Sequence, residues 1–294
     1  MHKAFAAFFA FLALTCTARA ETVYAKIPAH PALWTVHGPK GTAYLFGSVH
    51  LLPPEVDWHT KEVDAAIAKS DTLVFELAMD DKFQARMQDY IKARGMLPEG
   101  QHLHDMLPPE TNKALDAEIA KTHIPPVVID RMRPWLAELT LEVAEMGSQN
   151  YAAGSGVDVQ IQAKANGRPV IGLETIEDQM ALIAPSDPKK ELESFEADLK
   201  TSGSEANNEI GPLVDAWMHG RVDRLAALTK KEFQKYPDAQ KSLFDDRNAA
   251  WVKKITALLD EPKTYFITVG AGHLAGPQGV PAVLRAKGFR VDGP

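Results

Sequence analysis

The chain has 294 residues, 45% of them hydrophobic and 24% charged, and 39 Asp and Glu outnumber 32 Lys and Arg for a net charge of −7. No basic block stands out, which argues against a nucleic-acid partner, and no apolar run is long enough to span a bilayer. The single cysteine, Cys16, falls in the leader described next, so the mature chain is expected to have no disulfide and no thiol nucleophile and to rely on its core.

Residues 1–20 read as a secretory signal peptide. Lys3 gives the positive start, Ala4 to Leu14 the apolar run, and Ala18-Arg19-Ala20 a small-x-small cleavage site. The run is too short to be a membrane span. The expected product is exported, periplasmic or secreted. It comprises residues 21–294 as one α/β domain, with a net charge of −9 once Lys3 and Arg19 are removed.

Six segments read as strands: Leu33–Val36, Ala43–Phe46, Thr72–Phe75, Pro169–Gly172, Tyr265–Val269 and Phe289–Val291. Gly38-Pro39-Lys40-Gly41 carries turn residues, so the first two should form a hairpin. Most of the others are short and apolar on both faces, which suits a mostly parallel sheet covered on both sides. Helical patterns lie between them at Lys61–Lys69, Lys82–Ala93 and Thr175–Ile183. Thr175 is the expected N-cap of the last, with Asp178 three residues on. Residues 98–166 and 186–260 lack strand signals and read as helical insertions above the one sheet, the second ending in a long helical segment from about Pro237 to Leu259.

One phrase occurs twice. Gly47-Ser48-Val49-His50-Leu51-Leu52-Pro53 and Gly270-Ala271-Gly272-His273-Leu274-Ala275-Gly276-Pro277 share G-x-x-H-L, each after an apolar strand. Both copies read as strand, tight glycine turn and histidine. Gly47, Gly270 and Gly272 would supply the turn or a close backbone approach. Glu76 follows the third strand and Glu174 the fourth. In a parallel sheet these strand ends share the edge where ligands bind. Two imidazoles with one or two carboxylates suit a divalent metal with an open coordination position, which lowers the pKa of bound water to about 7. The bland alternatives are hydrogen-bonded structural histidines, and carboxylates that favour a helix start.

Two further stretches stand out. Gly154-Ser155-Gly156-Val157-Asp158 runs from a loop into a helix; its amides could hold an anion, and Asp158 could orient a metal-bound histidine or simply sit at the positive helix end. Arg247, in Asp245-Asp246-Arg247-Asn248, could stabilise developing negative charge or form an intrahelical salt bridge. His102-x-His104 lies in a polar stretch and carries less weight. There is no H-E-x-x-H, G-x-S-x-G or P-loop.

Together, Leu45-Phe46-Gly47-Ser48-Val49-His50, Phe75-Glu76, Gly156-Val157-Asp158-Val159-Gln160, Asp246-Arg247-Asn248 and Gly270-Ala271-Gly272-His273-Leu274 resemble the TraB/PrgY/GumN family, which includes the Tiki metalloproteases. The chain looks most like a bacterial GumN-type member. The resemblance implies an α/β fold similar to erythromycin esterase and the haem-binding ChaN proteins. It also implies metal-dependent peptide hydrolysis, with His50, His273 and Glu76 at the metal. On the reading of the residues themselves, Glu76 would be a third ligand or the general base, and Arg247 would polarise the scissile carbonyl or hold a substrate terminus. Zn²⁺, Mn²⁺ and Co²⁺ all accept such ligands. The expected partner is a peptide or small-molecule substrate. The alternatives are a periplasmic binding protein for a haem-like or peptide ligand, and a metal-free esterase with one histidine as base.

Overall fold

The computed structural model describes residues 26–50, 52–148, 156–184, 187–201 and 210–294. The expected signal peptide with Cys16, and Gly154 and Ser155 of the glycine loop, lie outside the described residues.

The protein is an α/β structure. Its main sheet has six strands in the order β6-β5-β7-β3-β2-β8, formed by β2 (Leu33–His37), β3 (Thr42–Ser48), β5 (Thr72–Phe75), β6 (Val170–Gly172), β7 (Thr264–Gly270) and β8 (Arg290–Asp292). The neighbours β6, β5, β7 and β3 are parallel. The expected hairpin is present: β2 pairs antiparallel with β3, and β8 antiparallel with β2. Only β2 therefore runs against the other five. Two two-residue strands, β1 (Ile27–Pro28) and β4 (Val56–Asp57), pair separately; neither is long enough to leave an alternation pattern in the sequence.

The period-two rule explains the layers. Phe46, Leu73, Phe75 and Phe266 point to one face, where they meet Val63, Val157, Ile161, Val214 and Trp217 from helices. Leu45, Val74, Tyr265, Ile267 and Val269 point to the other, against Trp251, Val252, Ile255 and Leu284. A fully buried side chain of this size contributes about 1.5–3 kcal/mol. The sheet is thus covered on both sides, which is why its strands read as continuous apolar runs.

The second stretch departs from the expectation of an insertion lying above the sheet. Its helices Ile210–Met218 and Asp246–Leu258 supply the cover on opposite faces. The long segment from Pro237 is also not one regular helix. A short helix, Pro237–Gln240, passes through a π-helical turn, Lys241–Asp245, before Asp246–Leu258 begins. The first insertion does build its own core, in which Leu103, Leu115, Ile119, Ile129 and Leu141 cluster with Phe195. Its helix Pro134–Ser148 reaches back to Leu77, Ile176 and Met180, just beyond the ends of β5 and β6. Among the described residues no helix is long and apolar enough to cross a membrane.

Candidate functional site

The twin phrases lie on adjacent strands. β3 and β7 pair in parallel, with Gly47 opposite Val269 and Ser48 opposite Gly270, so the two copies are staggered by one residue. The glycines divide between the two expected roles: Gly272 lies in a turn, the 3₁₀ segment Ala271–Leu274. Gly47 and Gly270 are still within their strands, and neither they nor Gly272 takes a positive φ. Gly47 is needed for close approach instead: a Cβ there would lie 2.9 Å from Ala271 Cα. Its carbonyl accepts from Trp217 Nε1 at 2.8 Å. Only after the strands do the chains diverge. His50 follows β3 by two residues, whereas His273 sits in a short 3₁₀ turn, Ala271–Leu274.

Glu76 begins the loop after β5, and Glu174 follows β6. Both carboxylates converge on Arg247. Arg247 Nη2 donates to Glu76 Oε2 and to Glu174 Oε2, each at 2.7 Å, and Nε donates to Glu174 Oε1 at 2.7 Å. Nη1 donates to the Leu243 carbonyl at 3.2 Å and to His273 Nε2 at 3.1 Å. All five guanidinium N–H groups are therefore engaged. The intrahelical salt bridge is not what forms: Arg247 reaches across the sheet edge and is 7% exposed. Burial alone would favour losing its proton, but Glu76 and Glu174 overcome this and hold it firmly charged. A π-helical turn ends at Asp245, two residues before Arg247, a distortion often found at functional sites.

Glu76 Oε1 accepts from Gly270 N at 2.6 Å, and its Oε2 also accepts from Gln179 Nε2 at 2.9 Å. Gln179 bridges to Glu174 Oε2 at 3.1 Å. It is delivered by the helix Ile176–Ile183, whose expected cap is complete: Thr175 Oγ1 accepts from Asp178 N, and Asp178 Oδ2 accepts from Thr175 N. Trp251 Nε1 donates to Glu174 Oε1 at 2.9 Å.

Asp158 sits in the first turn of the helix Val157–Ala163 and faces His50, with Oδ2 and Nδ1 3.2 Å apart. The start of this helix is fixed against the His50 strand end, because Val157 N donates to the Val49 carbonyl. That amide is therefore committed and does not face an anion. A Cβ on Gly156 would lie 2.6 Å from the His50 carbonyl, so the approach needs glycine.

The histidines differ electrostatically. Burial pushes His50 down, but the charge and hydrogen bond of Asp158, aided by Glu76, overcome it, so His50 holds its proton above the usual range. Burial and the positive charges of Arg247 and His50 drive His273 well below that range. His273 is packed between Phe244 and Trp251, with ring centroids 4.8 and 4.4 Å away.

Ser48, His50, Glu76, Asp158, Gln179 and Thr268 line one small cavity of about 10 Å³, the size of a single water or ion. Three buried side-chain atoms at it, Ser48 Oγ, Asp158 Oδ1 and Thr268 Oγ1, have no hydrogen-bond partner. The structure therefore gathers His50, Glu76, Asp158, Glu174, Arg247 and His273 at one edge, but places Arg247 between Glu76 and His273. Among the described residues no three His, Cys, Asp or Glu side chains form a ready-made metal ligand set. Gln179, Asn248, Ser48 and Thr268 were not singled out by sequence as site residues. Gln179 left one signal, its place in the first turns of a capped helix just after Glu174.

A family model described as the TraB/PrgY/gumN family matches residues 32–293. An uncharacterized protein of Treponema pallidum (strain Nichols) is 20% identical, over 92% of this chain and 86% of its own length. Proteins named "Uncharacterized protein YbaP" from Shigella flexneri and Escherichia coli (strain K12) are each 24% identical; they cover 91% and 82% of this chain and 98% and 87% of their own lengths. No solved structure matches significantly.

Proposed function

Starting from the fact that the chain belongs to the TraB/PrgY/gumN family, we propose that it is an exported metal-dependent hydrolase acting on peptide bonds. The observation that carries this reading is the small cavity. Each buried polar atom left without a partner costs about 1–3 kcal/mol. Three such atoms gathered at one cavity argue for a small polar guest. The surroundings also hold a surplus of negative charge, since the carboxylates of Glu76, Glu174 and Asp158 outnumber the Arg247 guanidinium even with His50 protonated. That surplus favours a cation.

The donors fit a divalent ion: imidazole, carboxylate and hydroxyl suit Zn²⁺, Mn²⁺ or Co²⁺. Glu76 would hold it, with His50 once that ring gives up the proton that Asp158 helps it keep. His273 would join them after Nε2 gives up the N–H of Arg247, because one ring nitrogen has one lone pair. Bound there, the ion would bring the pKa of a water to about 7. Asp158 would keep His50 oriented through Nδ1. Gly270 N and Gln179 would fix Glu76 as ligand or base. Arg247 Nη1, no longer bonded to His273, would have an N–H for the developing oxyanion. A haem-like ligand needs far more room than the roughly 10 Å³ of this cavity, since pockets for organic ligands usually measure about 300–1,000 Å³.

Elemental analysis of the purified protein, with hydrolysis of a peptide library, tests the reading. We expect one divalent ion per chain, and His50→Ala or His273→Ala to lose both ion and hydrolysis. Survival of both properties in these variants would sink it. Hydrolysis that persists after exhaustive chelation would favour the metal-free esterase.

A further inference from the structure

We infer that Asn248 is a positioning residue that fixes which nitrogen of His273 carries the proton. Asn248 is 3% exposed and lies in the same helix as Arg247. Its Nδ2 donates to the Gln278 carbonyl at 2.9 Å. A carbonyl only accepts, so this bond sets the orientation of the amide. Asn248 Oδ1 must then face His273 Nδ1, at 2.7 Å. An amide oxygen only accepts as well, so the proton of a neutral His273 belongs on Nδ1.

The far side of the ring obeys the same rule. Nε2 meets Arg247 Nη1 at 3.1 Å, and a guanidinium only donates. Two neighbours in sequence thus grip opposite nitrogens of one imidazole. They are not equivalent: Arg247 has Glu76 and Glu174 as further partners, whereas Asn248 is tied to Gln278 on one side and His273 on the other. Without Asn248, Nδ1–H would lose this acceptor, a loss of the same size as the gain from one hydrogen bond to a charged donor at Nε2. The Arg247 contact alone is therefore too weak to impose one tautomer. The consequence, a lone pair on Nε2 delivered ready for a cation, rests on the function proposed above. The assignment of the proton does not.

Nitrogen-15 NMR of the metal-free protein, with labelled histidine, tests the inference, and Zn²⁺ titration tests its consequence. Wild type should show His273 as the Nδ1–H tautomer alone. Asn248→Leu should show both tautomers or an exchange-broadened ring, and weaken Zn²⁺ binding by about 10–100-fold, the usual effect of losing such a partner. Asn248→Asp, which keeps an acceptor oxygen, should restore the single tautomer. A wild-type ring protonated on Nε2 overturns the proposal without any variant. So does an Asn248→Leu protein that keeps the wild-type spectrum. If the tautomer responds as expected but wild type binds no Zn²⁺, the metal reading falls and the role of Asn248 stands.

Discussion

The two copies of one phrase have opposite surroundings. At the end of β3, His50 faces a carboxylate, Asp158, and holds its proton more tightly than usual. At the end of β7, His273 faces an amide and a guanidinium, and loses its proton far more readily. Nothing in G-x-x-H-L distinguishes them. The difference comes from residues distant in sequence: Asp158 from the helix Val157–Ala163, and Arg247 with Asn248 from the helix Asp246–Leu258. A repeated motif on neighbouring parallel strands fixes where two side chains stand. The helices laid over the strand ends decide what each can do.

The comparison breaks most violently at Arg247, the residue that makes the His273 side positive. Arg247→Met leaves Glu76 and Glu174 buried without their cation, while the methionine fills much of the space. Removing one partner of a buried ion pair costs about 3–5 kcal/mol, and two carboxylates lose theirs here. We expect a drop of at least that order in unfolding free energy by urea titration. A loss of under about 1 kcal/mol, the size of an exposed ion pair, would mean that the three groups do not form a buried unit.

Gly47 tests whether the two strand ends must stay in contact. Gly47→Ala puts a methyl 2.9 Å from Ala271 Cα and 3.0 Å from its Cβ. Backbone has to move, because no flexible side-chain end is there to yield. Overpacking of this kind costs about 1–3 kcal/mol, and the displaced turn carries His273. Both the unfolding midpoint and the His273 NMR signal should shift. A variant as stable as wild type, with His273 unmoved, would show that the strand ends tolerate separation.

The legible parts of this molecule were the local ones. Lys61–Lys69 was read to the residue, with Thr60 accepting from Val63 N as its cap. Thr175 and Asp178 announced their reciprocal cap, and turn residues announced the β2–β3 hairpin. The placement of His50, Glu76, Glu174 and His273 at one edge followed from strands being apolar on both faces, hence parallel. What stayed hidden depended on tertiary contact. Gly47 left a turn and a close approach both open, because each favours the same amino acid. Local sequence favoured a helical ion pair for Arg247, since its true partners lie 73 and 171 positions away in sequence. The π-helical turn before it leaves no pattern that the sequence betrays.

The gentlest test uses a histidine outside the site as a control. His104 Nδ1 lies 2.7 Å from Asp130 Oδ1, and Nε2 lies 3.0 Å from Asp116 Oδ1. Like His50 it faces carboxylate, but it is only partly buried. Its modest desolvation lowers the pKa, and the two carboxylates more than reverse this, so the folded-state value is raised. A raised value stabilises the fold fully at pH below the unfolded-state pKa of about 6.5. That stabilisation is lost as pH rises through the folded-state pKa. His104→Gln should therefore destabilise most at pH 5.5, with the gap to wild type closing toward pH 8.5. Solvent screening keeps the effect small, on the order of the 0–1 kcal/mol of exposed pairs. Urea titrations at the two pH values measure it. A gap that widens with pH would reverse the sign. It would mean that His104 is held neutral like His273, and that facing carboxylate is not what separates His50 from its twin.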